Sequence, residues 1–174
     1  VLLAIAGYVW YKFSNAGGGD NGPKQQPVTL KKHSDTFNLA VSAAMNAYFE
    51  MSAAFVDADT AKVKASAGKF IQLLDTIPMD ELQKDSANIY TIAMGTFEGI
   101  KSNAQSILAM TDLQEMRKDF SMVSENLYPF FKIINYEGEK MYWQNCPMAF
   151  GDDKEANWVS KTKEVVNPYL GKNH

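Results

Sequence analysis

From Ser34 onward, non-polar positions recur three and four residues apart: Phe37, Ala40, Val41, Ala44, Met45, Tyr48 and Phe55, with the small Ser52 in the same row. That spacing places them on one face of a helix, and Ser34 or Asp35 stands where its N-cap is needed. Asp57 to Thr60 interrupts the row and supplies the cap of a second, shorter helix carrying Val63, Ala67, Phe70, Ile71 and Leu74. Ile77-Pro78 ends that helix, because the residue before a proline is pushed away from helical geometry. A third helix is predicted from near Asp80, with Asp80, Glu81 and Asp85 at the end where the helix dipole favours negative charge. Its stripe is Leu82, Ile89, Ala93, Ile100, Ala104, Ile107 and Leu108. Thr111 or Asp112 caps a fourth, and Glu115 stands three beyond Asp112 as a capping box requires. Leu113, Met116, Phe120, Val123, Leu127, Phe130 and Ile134 alternate steps of three and four, a seam for packing against neighbouring helices. Pro129 is expected to kink its late part. Amphipathic helices of this kind joined by short turns predict an all-α fold, an antiparallel four-helix bundle.

The two ends depart from this period. Val1 to Tyr11 is apolar throughout and Lys12 is the first charge. The run is shorter than the roughly 20 residues a bilayer requires, but it ends in Tyr8, Trp10, Tyr11 and Phe13 around Lys12, as membrane-interface segments do. We expect residues 1–14 to be the outer end of a transmembrane anchor that continues upstream. A signal peptide or a buried helix is the alternative. Residues 15–33 form a linker, since Gly17-Gly18-Gly19-Asp20-Asn21-Gly22-Pro23 holds neither helix nor central strand. Residues 34–174 would then be the folded domain, on the extracytoplasmic, periplasmic side. Past Tyr136, Glu137-Gly138-Glu139 is a turn and Lys140 to Gln144 is strand-like. The rest, through Trp158, Asn167-Pro168 and Gly171, is expected to be an irregular extension rich in aromatic residues.

Composition narrows the function. A net charge of −3 gives no basic excess, which argues against a nucleic-acid partner. The one cysteine cannot form an intrachain disulfide, and the two histidines, His33 and His174, cannot build a multi-histidine metal site. The glycine-rich stretch precedes no Gly-Lys-Ser/Thr, and there is no His-Glu-x-x-His. A Cys-His pair would need Cys146 with His33 or His174, both in segments expected to be flexible. Asp57/Asp59 and Asp152/Asp153 suit caps and turns better than acid/base pairs. These observations point away from an enzyme.

Cys146-Pro147-Met148 is the one chemically distinctive stretch. Thiolate and thioether are soft donors that favour Cu(I), and Pro147 restricts the backbone between them. Met141 in the same segment adds a third sulfur. A buried free cysteine in an aromatic subcore with Tyr142, Trp143, Phe150 and Trp158 explains the same residues without a metal.

Tyr142-Trp143-Gln144-Asn145-Cys146-Pro147-Met148-Ala149, then Trp158-Val159-Ser160, then Asn167-Pro168-Tyr169-Leu170-Gly171, resembles a family of domains of unknown function associated with periplasmic adaptor proteins of copper/silver and related heavy-metal efflux systems. The resemblance implies a helical bundle followed by the Cys-Pro-Met-Ala segment, with Cys146 and Met148 as the residues that carry over. Met141 is added from its position alone. Family members often have His where Asn145 stands, and they continue past the Asn-Pro-Tyr-x-Gly block to a Met and a Cys-Gly that this sequence lacks. The expected function is a membrane-anchored periplasmic domain that handles Cu(I) or a similar soft ion. The alternative is a non-catalytic accessory subunit of a larger membrane protein complex, with the Cys block as a folding motif.

Overall fold

The computed structural model describes residues 33–172 apart from Ser86. The predicted anchor at 1–14, the predicted linker up to residue 32, and His174 lie outside the described residues.

Helix α1 spans Asp35–Val56. Ser34, in extended conformation, is its cap: Ser34 Oγ accepts from the Phe37 N–H at 3.1 Å. Ser34 Oγ in turn donates to Glu81 at 2.6 Å. After a turn through Ala58, which has φ of +55°, Asp59 caps α2 (Thr60–Leu74) by accepting from the Lys62 N–H at 3.0 Å. Asp112 caps α4 (Leu113–Ile133), accepting from the amides of Gln114 and Glu115. The Glu115 carboxylate turns to Lys118 at 2.7 Å rather than back to the cap. Pro129 lies inside α4, and the helix continues beyond it to Ile133.

The third predicted helix is corrected. Its first part, Met79–Lys84, is a 3₁₀ helix, and α3 proper runs from Ala87 to Ala109. In a 3₁₀ turn residues three apart eclipse, so Met79 and Leu82 both enter the core. The buried row on α3 is Ala93, Phe97, Ile100, Ala104 and Ile107, in alternating steps of four and three. Phe97 belongs to that row and Leu108 falls off it, 38% exposed.

α1 packs on α2, α2 on α3, and α3 on α4. α3 and α4 run antiparallel, since Ser106 bonds Asp119 at 2.7 Å while Phe97 meets Phe130. Gly99 faces Asn126, where an added Cβ would stand 3.2 Å from Oδ1; Gly95 faces open space. α4 returns to α1 through Tyr48, whose ring stacks on Phe120 at 5.2 Å. The described fold is thus a mostly helical bundle. α1 is long and apolar enough to cross a membrane by length and composition. Here Phe37, Val41, Met45, Tyr48, Met51 and Phe55 on α1 are all buried in the core.

The C-terminal extension is not wholly irregular. Strands β1 (Tyr142–Cys146) and β2 (Ala156–Ser160) form an antiparallel pair, with Gln144 opposite Trp158 and Cys146 opposite Ala156. Pairing is set by a partner strand that local periodicity does not reveal. The sheet packs on α4.

A buried relay fastens it there. The Val159 N–H donates to Tyr48 Oη at 3.1 Å, Tyr48 lies 2.7 Å from Ser124 Oγ, and Ser124 Oγ donates to the Phe120 carbonyl at 3.0 Å. With the Ser124 proton directed at Phe120, Tyr48 donates to Ser124. Tyr48→Phe leaves Val159 N–H without its acceptor and Ser124 without its donor, both in the interior. Denaturant unfolding is expected to show a loss of about 1–3 kcal/mol. Native-state hydrogen exchange should show the Val159 amide losing more protection than those of α2.

Candidate functional site

Alternation along β1 sends Gln144 and Cys146 inward and leaves Trp143 and Asn145 outward. Cys146 is a free thiol in the core, close to Tyr169. Met148, two residues on, lies in the β1–β2 connection and is 57% exposed. It lines a shallow hollow with Gln114 and Lys118 at the start of α4, beside Tyr169 and Leu170. Met141 precedes the opposite end of β1. Five steps of strand at about 3.3 Å each separate it from Cys146 by roughly 17 Å, and it lines a different hollow, with Tyr128 and Trp143. The structure therefore keeps Cys146 and Met148 as chain neighbours and does not bring Met141 to them. Among the described residues, no three or more His, Cys, Asp or Glu side chains come together as a metal-ion group.

His33, expected to be flexible, is held in place. Its ring packs on Phe37 at 4.4 Å, Nε2 meets the Ile134 carbonyl, and Nδ1 lies 3.8 Å from Glu81. Both ring nitrogens thus face partners other than Cys146.

The three sequence blocks of the extension are occupied in bonding to one another and, through Trp143, Val159 and Pro168, to the helices. Trp158 is buried against Tyr169. Asn167 Oδ1 accepts from the amides of Tyr169 and Leu170 at 2.9 and 3.3 Å, and its carbonyl accepts from the Gly171 N–H at 3.0 Å. These bonds wind 167–171 into a tight turn. Gly171 has φ of +82°, and a Cβ there would stand 3.3 Å from the Val56 carbonyl. Tyr169 Oη donates to the Asn157 carbonyl on β2 at 2.5 Å. Burial pushes the Tyr48 and Tyr169 hydroxyls above the ordinary phenol pKa, so both remain protonated donors. Gln144 Nε2 lies 3.0 to 3.3 Å from the carbonyls of Thr162, Lys163 and Glu164, tying the following loop to β1. Asn145, on the outer face, bonds Asn157 at 2.9 Å.

Arg117 is the residue that pattern reading missed. It is buried on α4, with Nε donating to the Pro168 carbonyl at 3.0 Å and Nη2 to the Phe55 carbonyl at 3.2 Å. Phe55 lies in the last turn of α1, where the helix dipole favours a cation. Burial lowers the Arg117 pKa from its usual value, yet guanidinium stays charged in proteins. One signal was available: Arg117 is the sole arginine among the chain's 17 basic residues. A fork of rigid donors suits a buried site that joins two carbonyls, which a lysine does less well.

A family model described as a protein of unknown function, DUF3347, matches residues 44–138. The match runs from within α1 to just past α4 and stops before β1, so the Cys146 block and the two blocks after it lie beyond it. Neither a curated protein nor a solved structure matches the chain.

Arg117→Met removes both donors: the Pro168 carbonyl loses its partner in the interior, and the Phe55 carbonyl keeps the Ala58 N–H. We expect a loss of about 2–3 kcal/mol in chemical denaturation, with amide protection falling first at 167–171. Arg117→Lys should recover part of this, since a lysine supplies the charge but not the fork. Unchanged protection at 167–171 in Arg117→Met would contradict the assignment.

Proposed function

This chain belongs to the DUF3347 family, and on that footing we propose that it is a non-catalytic accessory domain of a membrane protein complex. We read its four long helices as an antiparallel four-helix bundle, tethered by residues 1–14 and facing the periplasm, with a membrane protein as its partner. One observation carries this reading. The blocks at Trp158–Ser160 and Asn167–Gly171 lock the extension onto α1 and α4, through Val159 to Tyr48 and through Pro168 to Arg117. A segment so engaged acts as a folding motif that gives the bundle one fixed, rigid end.

A second reading rests on a specific feature of the same segment. Cys146 and Met148 flank Pro147, and Met148 is largely exposed. Their sulfurs are the soft donors Cu(I) prefers. In that reading the domain binds and passes on a copper-type ion, with residues outside the described chain completing the ligand set. Met141 takes no part unless β1 is remodelled.

One experiment separates the two. The complete extracytoplasmic chain is titrated with Cu(I) against a competing chelator as wild type, Cys146→Ser and Met148→Leu, with thermal unfolding in parallel. The accessory reading expects equal, weak Cu(I) affinity in all three. It also expects Cys146→Ser to lose about 1–3 kcal/mol, because a hydroxyl replaces a buried thiol. At least tenfold weaker Cu(I) binding in both variants, with metal raising the unfolding temperature of wild type alone, would overturn the accessory reading in favour of the metal one.

A further inference from the structure

We propose that the hollow between the end of α4, the 136–141 turn and β1 binds a small planar organic anion, a one- or two-ring aromatic bearing a carboxylate or sulfonate. This rests on neither reading above. The hollow measures about 280 Å³, near the lower end of ligand-site volumes, roughly 300–1,000 Å³, which sets the size of the occupant.

Its walls are aromatic. Tyr128 on α4 and Trp143 on β1 lie 4.9 Å apart and remain 45% and 38% exposed. Tyr136 packs on Phe131 at 5.1 Å. A Cβ at Gly138 would collide with the Tyr136 ring, so the glycine is what lets that ring lie across the turn. Exposed rings converging on one hollow leave apolar faces that a flat ligand can cover by stacking.

Charge selects the sign of the ligand. Two exposed ammonium groups stand at the hollow, Lys132 Nζ 5.5 Å above the Tyr128 ring and Lys140 Nζ 5.3 Å above the Tyr142 ring. Among the described residues, Glu139 is the one carboxylate in the lining. Ring faces attract cations, but the Tyr128 and Tyr142 faces already hold one each, and a third cation would meet both ammonium groups. A flat anion stacks on Trp143 and pairs with the lysines instead.

The test uses the complete extracytoplasmic chain and two probes of one shape, naphthalene-2-sulfonate and 2-naphthylmethylammonium, followed by calorimetry and amide chemical shifts. We expect the sulfonate to bind at one site at least tenfold tighter than the ammonium probe, moving the amides of 136–143. Lys132→Gln and Lys140→Gln should each weaken sulfonate binding severalfold, and Trp143→Ala should abolish it. Lys69→Gln, on α2, should change nothing. Both lysines at the hollow are exposed, so those variants keep the test decisive should Trp143→Ala fail to fold. Equal affinity for the two probes, or sulfonate binding indifferent to Lys132 and Lys140, would overturn the proposal.

Discussion

The fold turns on the Tyr48 hydroxyl. It is the point where α1, α4 and β2 meet, and it serves all three with one oxygen: it accepts from the Val159 backbone and donates to Ser124, whose own proton goes to Phe120. Each group in that chain donates once in the same direction, so no buried polar atom in it lacks a partner. Buried groups so satisfied stabilise one arrangement, since any shift strands a donor or an acceptor away from water. The rings around it follow. Tyr48 stacks on Phe120, Phe120 packs on Phe55 and Tyr169, and Tyr169 meets Trp158 and Phe150 edge-on. Helix packing and sheet docking therefore share one aromatic centre.

Arg117 performs the corresponding task at the far end of the extension. Its fork joins the last turn of α1 to the Pro168 carbonyl, while Gly171 closes against Val56. Pro168 supplies a carbonyl and no N–H, which suits a position where only an acceptor is needed. The Asn-Pro-Tyr-x-Gly block thus has a structural cause at four of its five positions: a turn-forming amide, an acceptor, a buried ring with a donor, and a residue tolerant of positive φ. This weighs on how Cys146 is understood, because the core it enters is the one these contacts build. The surface left over bears Met148 on one side and the aromatic hollow beside Met141 on the other.

The helices were legible because their signal is local. Rows at three and four residues, with Ser34, Asp59 and Asp112 as caps, place α1, α2 and α4 near their observed limits. The errors fall where a choice between two local geometries was settled by contacts elsewhere. Met79 and Leu82 fit an α-helical stripe as well as a 3₁₀ turn, and Glu81 bonding to Ser34 belongs to the latter. His33 precedes the first helical row, so only the structure shows Phe37, Ile134 and Glu81 around it. Met141 joined the sulfur set through nearness in sequence, which an extended strand converts into distance.

By itself the sequence determined that this chain forms amphipathic helices, where they are capped, and that the helical rows end by Tyr136, because side-chain period and capping act over a single turn. The tertiary structure alone decided that Gln144 pairs across from Trp158, that Arg117 closes the end of α1, and which sulfurs share a neighbourhood. Those depend on residues 14 to 62 positions apart in the chain, and a contact at such separation is fixed by how the elements pack and by which buried groups find partners, neither of which a local pattern contains.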